Sequence, residues 1–179
     1  GHGQQLTMDH LCDEMNDFNT FIQGLAIDYI QQFCSLSGVP LKGNREVSTD
    51  ELWSVHSYMG DYNPMHDHGT KTLMGISCTT WTKVPQQILD QPTAGSPEYS
   101  LYNASRNADG FLSFSYGRNS VIDAERLAPP QSFMIKPEVG KFLMFPSWLA
   151  HAVYPFKGEG ERRTVAGNLN VWAVPDKKI

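Results

Sequence analysis

Cysteine is scarce in this chain and no hydrophobic run is long. There are three cysteines in 179 residues, Cys12, Cys34 and Cys78, with no CxxC and no zinc-finger spacing. An odd number at wide intervals excludes a disulfide framework and suits a reducing, cytoplasmic compartment, in a bacterium or a phage-infected host. No run of about 18 apolar residues occurs, so no helical membrane span is expected. Basic charge is also short: 14 Lys and Arg stand against 19 Asp and Glu, a net charge of −5. Such a balance gives no general pull toward nucleic acid or anionic lipid. The nearest thing to a basic patch is the pairs Arg162–Arg163 and Lys177–Lys178, ordinary on a solvated face. Gly1-His2-Gly3 has none of the charge and apolar pattern of a secretory leader, and His2 is set aside. Internal repeats and low-complexity tracts are lacking as well.

What is present reads as one domain spanning residues 1–179. Apolar residues at Leu11, Met15, Phe18, Ile22, Leu25, Tyr29, Ile30 and Phe33 step by three and four, which predicts an amphipathic helix from about Met8 to Leu36, or two helices broken near Asn19. Ser37-Gly38-Val39-Pro40 should end it. Residues 1–50 are therefore expected to form a helical layer. Its apolar face must pack on something: the chain's own sheet or, in a homodimer, a second copy. Beyond Asp50, short β-branched and apolar runs alternate with Gly, Pro, Asn and Asp, the texture of a sandwich or barrel. The candidate strands are Leu52–Tyr58, Thr72–Thr82, Phe111–Tyr116, Ser132–Ile135, Phe142–Phe145, His151–Tyr154 and Thr164–Val174. Gln86–Asn107, rich in Pro, Ser and Asn, reads as a long loop or lid.

His66-Asp67-His68 is the most informative tripeptide. In a strand, alternation sends His66 and His68 to one face and Asp67 to the other, so two imidazoles can hold one ion. A third ligand must come from elsewhere, and His151 is the best donor. It follows the apolar strand Phe142–Phe145 and a Pro146-Ser147 turn that returns the chain to the sheet. A lone histidine in a β domain is usually structural, and His10 (on the N-terminal helix) and His56 (in the first strand) are read that way. Further on, Arg162 and Thr164 share a strand face, and a guanidinium beside a hydroxyl suits one carboxylate.

Three segments resemble the 2-oxoglutarate/Fe(II)-dependent oxygenase superfamily, in particular a 2OG-Fe(II) oxygenase family found in marine bacteria and phages, with a wider likeness to prolyl 4-hydroxylases. They are Gly60 through His68, Gly140 through His151 with its Phe-Pro-Ser-Trp and His, and Arg162 through Asn168. The resemblance implies a mainly β fold, a double-stranded β-helix (jelly roll), with Fe(II) near one mouth of the barrel. His66 and His151 would take the two histidine positions of the family's triad. Arg162 would bind the far carboxylate of 2-oxoglutarate, Thr164 would stand in for the serine of an Arg-x-Ser pair, and Arg163 is the fallback if the strand is offset by one. The triad's carboxylate position is His68 here, which leaves the site one negative charge poorer. Asp67 could supply that charge only if the strand bulges.

The activity so implied couples decarboxylation of 2-oxoglutarate to oxidation of a substrate by dioxygen, in a dry surround made by Phe142, Met144, Val153 and Leu169. The substrate is a small molecule or a peptide, with Tyr62, Tyr102 and Trp148 as candidate pocket walls. Two other readings keep the β scaffold: a cupin-like metal dioxygenase or isomerase that does not use 2-oxoglutarate, and a non-catalytic jelly-roll module.

Overall fold

A computed structural model describes residues 3–41, 43–92, 108–116 and 131–174. The strands are β1 (Gln4–Met8), β2 (Asn44–Ser57), β3 (Asn63–His66), β4 (Ile76–Lys83), β5 (Leu112–Tyr116), β6 (Gln131–Ile135), β7 (Phe142–Pro146), β8 (Ala150–Val153) and β9 (Arg162–Val174). A 3-10 turn at Asp13–Met15 leads into helix α1 (Asn16–Ser37), and a one-turn helix α2 spans Gln86–Leu89. Two antiparallel sheets result, in the orders β1-β2-β9-β4-β7 and β3-β8-β5-β6. They face each other in a jelly roll, the mainly β architecture expected from the residues.

Period-two alternation decides what each sheet face touches. On β7, Phe142 and Met144 point to the outer face of the larger sheet, where Leu52, Ile76, Leu169 and Val171 meet Ile22, Ala26 and Ile30 of α1. Leu143 and Phe145 point the other way, into the space between the sheets, with Trp81, Leu112 and Phe114. The same rule corrects the expected dry surround. Phe142, Met144 and Leu169 belong to the helix-facing core, and of the four residues named only Val153 lines the inner cavity.

Helix α1 is continuous through Asn19, whose amide is occupied instead with the His10 carbonyl and the Thr49 hydroxyl. Gly38 caps it at φ 66°, a left-handed conformation that glycine adopts without strain. Its start is later than expected: residues 9–12 form a turn, and His10 lies there rather than on the helix. Nor are residues 1–50 helical throughout, since β1 and the first half of β2 fall within them. Strand β4 begins at Ile76 rather than Thr72, because residues 72–75 form a loop that ends at Gly75. A Cβ on Gly75 would come within 1.8 Å of Thr70 Oγ1 and 2.4 Å of Ser147 Oγ, so only glycine fits there without movement. Of the expected loop Gln86–Asn107, residues 93–107 lie outside the described part, as does Tyr102. No helix among the described residues is long and apolar enough to cross a membrane.

Candidate metal and 2-oxoglutarate site

His66 and His151 are register partners on β3 and β8. Between Asn63 and His66 the pairing slips, three steps on β3 matching two on β8. A bulge of this kind re-aims the side chain that follows it, and the irregular stretch includes Pro64, which has no N–H to give to the ladder. The strand ends at His66, so His68 is held from outside the sheet, its backbone N–H donating to the Ser147 carbonyl at 2.9 Å. Ser147 sits in the turn that follows β7, where its own N–H reaches the Gly75 carbonyl and the Leu149 N–H reaches Pro146. The Phe-Pro-Ser-Trp segment thereby clamps the His68 loop to the end of β7 and delivers the chain to His151.

These elements bring the three histidines together. One ligand nitrogen from each of His66, His68 and His151 lies within 4.8 Å of the others. The ring centroids are 4.3 Å apart for His66 and His151 and 5.0 Å for His68 and His151. Asp67 is exposed and is not in the convergent group, and the bulge does not bring it in. Trp53 stacks on His68 at 5.4 Å, and Phe145 meets His151 edge-on at 5.2 Å. Burial lowers the pKa of His68 to about 4, helped by His151 and His66, and burial lowers that of His151 as well. Both rings are therefore neutral at physiological pH, the state a metal ligand requires.

The imidazoles open onto a cavity of about 260 Å³ between the sheets. Arg162 and Thr164 lie on its wall, together with Trp53, Trp81, Leu112 and Val153. Arg162 is 3% exposed. One terminal nitrogen donates to the Gly110 carbonyl at 2.8 Å and the other to Ser57 Oγ at 3.1 Å, while its buried Nε has no partner among the described residues. Burial pulls the guanidinium down to about 10, opposed by nearby Asp61, so it remains charged. A buried cation is costly unless an opposite charge meets it, and a carboxylate in the cavity that Arg162 lines would supply one. Arg163 is on the opposite strand face and is taken up by Glu161, through Nε at 2.8 Å and a terminal nitrogen at 2.9 Å. His56 joins the same carboxylate through Nδ1 at 2.7 Å, away from the imidazole cluster.

Tyr62 and Trp148 do not line this cavity; Trp148 is 63% exposed and borders a separate apolar groove beside α1. The aromatic walls are Trp53, Trp81 and Phe145 instead. Glu51, Ser57 and Asn168 also went unnoticed in the sequence. The one signal for Asn168 is the period of β9, which puts it on the Arg162–Thr164 face six residues from Arg162.

A family model described as "putative 2OG-Fe(II) oxygenase" matches residues 51–168. The chain belongs to this family. Its members are oxidoreductases that use Fe(II) and 2-oxoglutarate, and the matched span holds every residue of the cluster and Arg162. Among solved structures the chain is similar to a prolyl-4-hydroxylase of Pseudomonas putida, with 15% identity over 93% of this chain and 70% of that one, and a TM-score of 0.50. It is also similar to HygX of Streptomyces hygroscopicus with nickel and 2-oxoglutarate bound, at 13% identity, 95% and 70% coverage and a TM-score of 0.51. A third is the non-heme alpha ketoglutarate dependent carbocyclase SnoK from nogalamycin biosynthesis, at 9% identity and a TM-score of 0.57. The chain is 94% covered in that match but spans only 63% of SnoK. At these identities the likeness is one of fold. No curated protein matches the sequence.

Proposed function

We propose that this protein is a 2-oxoglutarate- and Fe(II)-dependent dioxygenase, a hydroxylase of a small molecule or peptide, with His66, His68 and His151 as metal ligands. The observation that carries the reading is the pairing, on one cavity, of three convergent imidazoles with a buried guanidinium on the wall. The donor set fits the metal: the Nδ1 atoms of His66 and His151 face the carbonyls of Pro64 and Leu149 at 2.7 and 2.9 Å, which leaves their Nε2 lone pairs for an ion.

Fe(II) and 2-oxoglutarate supply the oxidation when bound, with dioxygen consumed, 2-oxoglutarate converted to succinate and carbon dioxide, and one oxygen atom delivered to the substrate. The chain's own work is to bind, orient and keep water out. His66 and His151 hold the ion from the β3–β8 pair, and His68 closes the third side from its loop. Arg162 pairs its charge with the far carboxylate of 2-oxoglutarate from the cavity wall, and Thr164 lies beside it on the same strand face. Trp53, Trp81, Leu112, Phe145 and Val153 form the apolar lining, which strengthens each polar contact within.

The test is turnover: the Fe(II)-loaded protein should convert 2-oxoglutarate to succinate, and 2-oxoglutarate should bind the metal-substituted protein in calorimetry. Metal binding without any 2-oxoglutarate binding would overturn the reading. That result would favour the second reading, a metal dioxygenase or isomerase that does not use 2-oxoglutarate, which the carboxylate-free ligand cluster supports.

A further inference from the structure

His68 is wired in the opposite sense to its two partners. In His66 and His151, Nδ1 faces a backbone carbonyl, which can only accept, so Nδ1 carries the ring hydrogen and Nε2 the lone pair. At His68, Nδ1 faces the side-chain amide nitrogen of Asn168 at 3.3 Å. Which end of that amide is nitrogen is decided by its other neighbours. Its Nδ2 also stands 2.8 Å from Glu51 Oε1, and a carboxylate can only accept. Its Oδ1 takes the hydroxyl hydrogen of Ser77 at 2.7 Å. Asn168 is 1% and Ser77 2% exposed, so bulk water offers no substitute partner.

The two amide hydrogens are thus shared out, one to Glu51 and one to His68 Nδ1. His68 must then carry its own hydrogen on Nε2, and that atom lies 3.2 Å from His151 Nε2. Every donor in the row meets an acceptor: Asn168 to His68, His68 to His151, His151 to the Leu149 carbonyl. The hydrogen on His68 occupies the place where an ion would sit.

We propose that Asn168, set by Glu51 and Ser77, is a positioning residue that holds His68 as the Nε2–H tautomer and makes it the last of the three imidazoles to ligate. Two ligands are ready in advance, and the third joins by rearrangement. For His68 Nε2 to take an ion, its hydrogen must leave and one must be gained at Nδ1, so the neutral ring keeps its proton count. The Asn168 amide must turn to offer Oδ1 to the new Nδ1–H, which breaks its bond to Glu51. An acceptor behind the ring, in place of this donor, would favour the metal-ready tautomer from the start. The ligation order rests on the metal reading above; the tautomer is measured with no metal present.

The experiment is nitrogen-15 NMR of the full-length, chelator-treated protein labelled at histidine, in mildly alkaline buffer. Two-bond proton–nitrogen correlations should show His66 and His151 as Nδ1–H and His68 as Nε2–H. Finding His68 as Nδ1–H in the unsubstituted protein overturns the proposal whatever any variant does. The second arm is the Asn168→Asp/Glu51→Gln double variant, in which the new carboxylate has an amide beside it rather than a second carboxylate. There His68 should switch to Nδ1–H, and Zn²⁺ should bind about tenfold tighter in competition with a chromophoric chelator. An unchanged tautomer and unchanged Zn²⁺ affinity in the double variant would overturn the role of Asn168 alone. Absence of Zn²⁺ binding by every form would instead overturn the metal reading, and the ligation order with it.

Discussion

His66 stands directly opposite His151 across the β3–β8 pair, with 4.3 Å between the ring centres. Neither ring can be lost without leaving the other facing an open cavity. The Zn²⁺-loaded protein should melt at higher temperature than the metal-free one, by an amount set by saturation: about 2.7 kcal/mol when free metal is 100 times the dissociation constant. His66→Ala or His151→Ala should each remove most of that shift in scanning calorimetry, and the double variant should lose little more. Losses that simply add would mean that the two rings serve different ions or none.

The two adjacent arginines should behave oppositely. Arg162→Ala is expected to weaken 2-oxoglutarate binding on the order of 100-fold, the scale of a charge-assisted hydrogen-bond pair. It also leaves the Gly110 carbonyl and Ser57 without their donor, so some stability should be lost. Arg163→Ala, which faces Glu161 outside the cavity, should leave 2-oxoglutarate affinity within twofold by calorimetry. Equal losses in both variants would argue against Arg162 as the anchor.

Gly75→Ala puts a methyl group into space held by Thr70 and Ser147. The loop carrying His68 has to give way, since its backbone is tied to Ser147. A stability loss of roughly 1–3 kcal/mol is expected in denaturant titration, together with weaker metal binding. Strong destabilisation with unaltered metal affinity would show that the loop and the ligand are uncoupled.

Acid should act through Glu161. The Arg163 hydrogen bonds, then those from Lys83 and His56, hold its carboxyl at about 2 against an ordinary 4.5. A depressed folded-state value means that the stabilisation is complete above about pH 4.5 and fades as pH falls toward 2. Glu161→Gln should therefore flatten the fall in stability across that window, as followed by urea melts at stepped pH. An unchanged pH profile would assign the acid sensitivity to other carboxylates.

Much of the scaffold could be read from periodicity alone. The stepping of Met15, Phe18, Ile22, Tyr29 and Ile30 marks residues of α1 and its lead-in that pack on the sheet, whereas Leu11 and Phe33 of the same series are exposed and Ala26, buried on that stripe, went unnoticed. Strand β1 was invisible because Gln4, Gln5, Leu6 and Thr7 are all exposed; it is an edge strand held by pairing with β2 rather than by an apolar face. The convergence of His66, His68 and His151 followed from a short motif joined to a resemblance. The Glu51–Asn168–His68 connection could not follow from spacing. Glu51 and Asn168 are 117 positions apart and meet only because β2 and β9 pair in that register. The misassignment of Phe142, Met144 and Leu169 to the site came from treating apolar strands as wholes. Only one side of each strand can reach the cavity.

β9 runs between β2 and β4, with both of its edges hydrogen-bonded, whereas β3 is four residues long and lies at the rim of its sheet. Arg162 and Asn168 are thus mounted where amide exchange with solvent should be slowest, and His66 where local opening requires the fewest broken bonds. On the proposed reading, Arg162 would then be a fixed jaw for the co-substrate, and the short edge strand carrying His66 the side that yields more readily. Local opening of β3 would expose the cavity at little cost to the rest of the barrel.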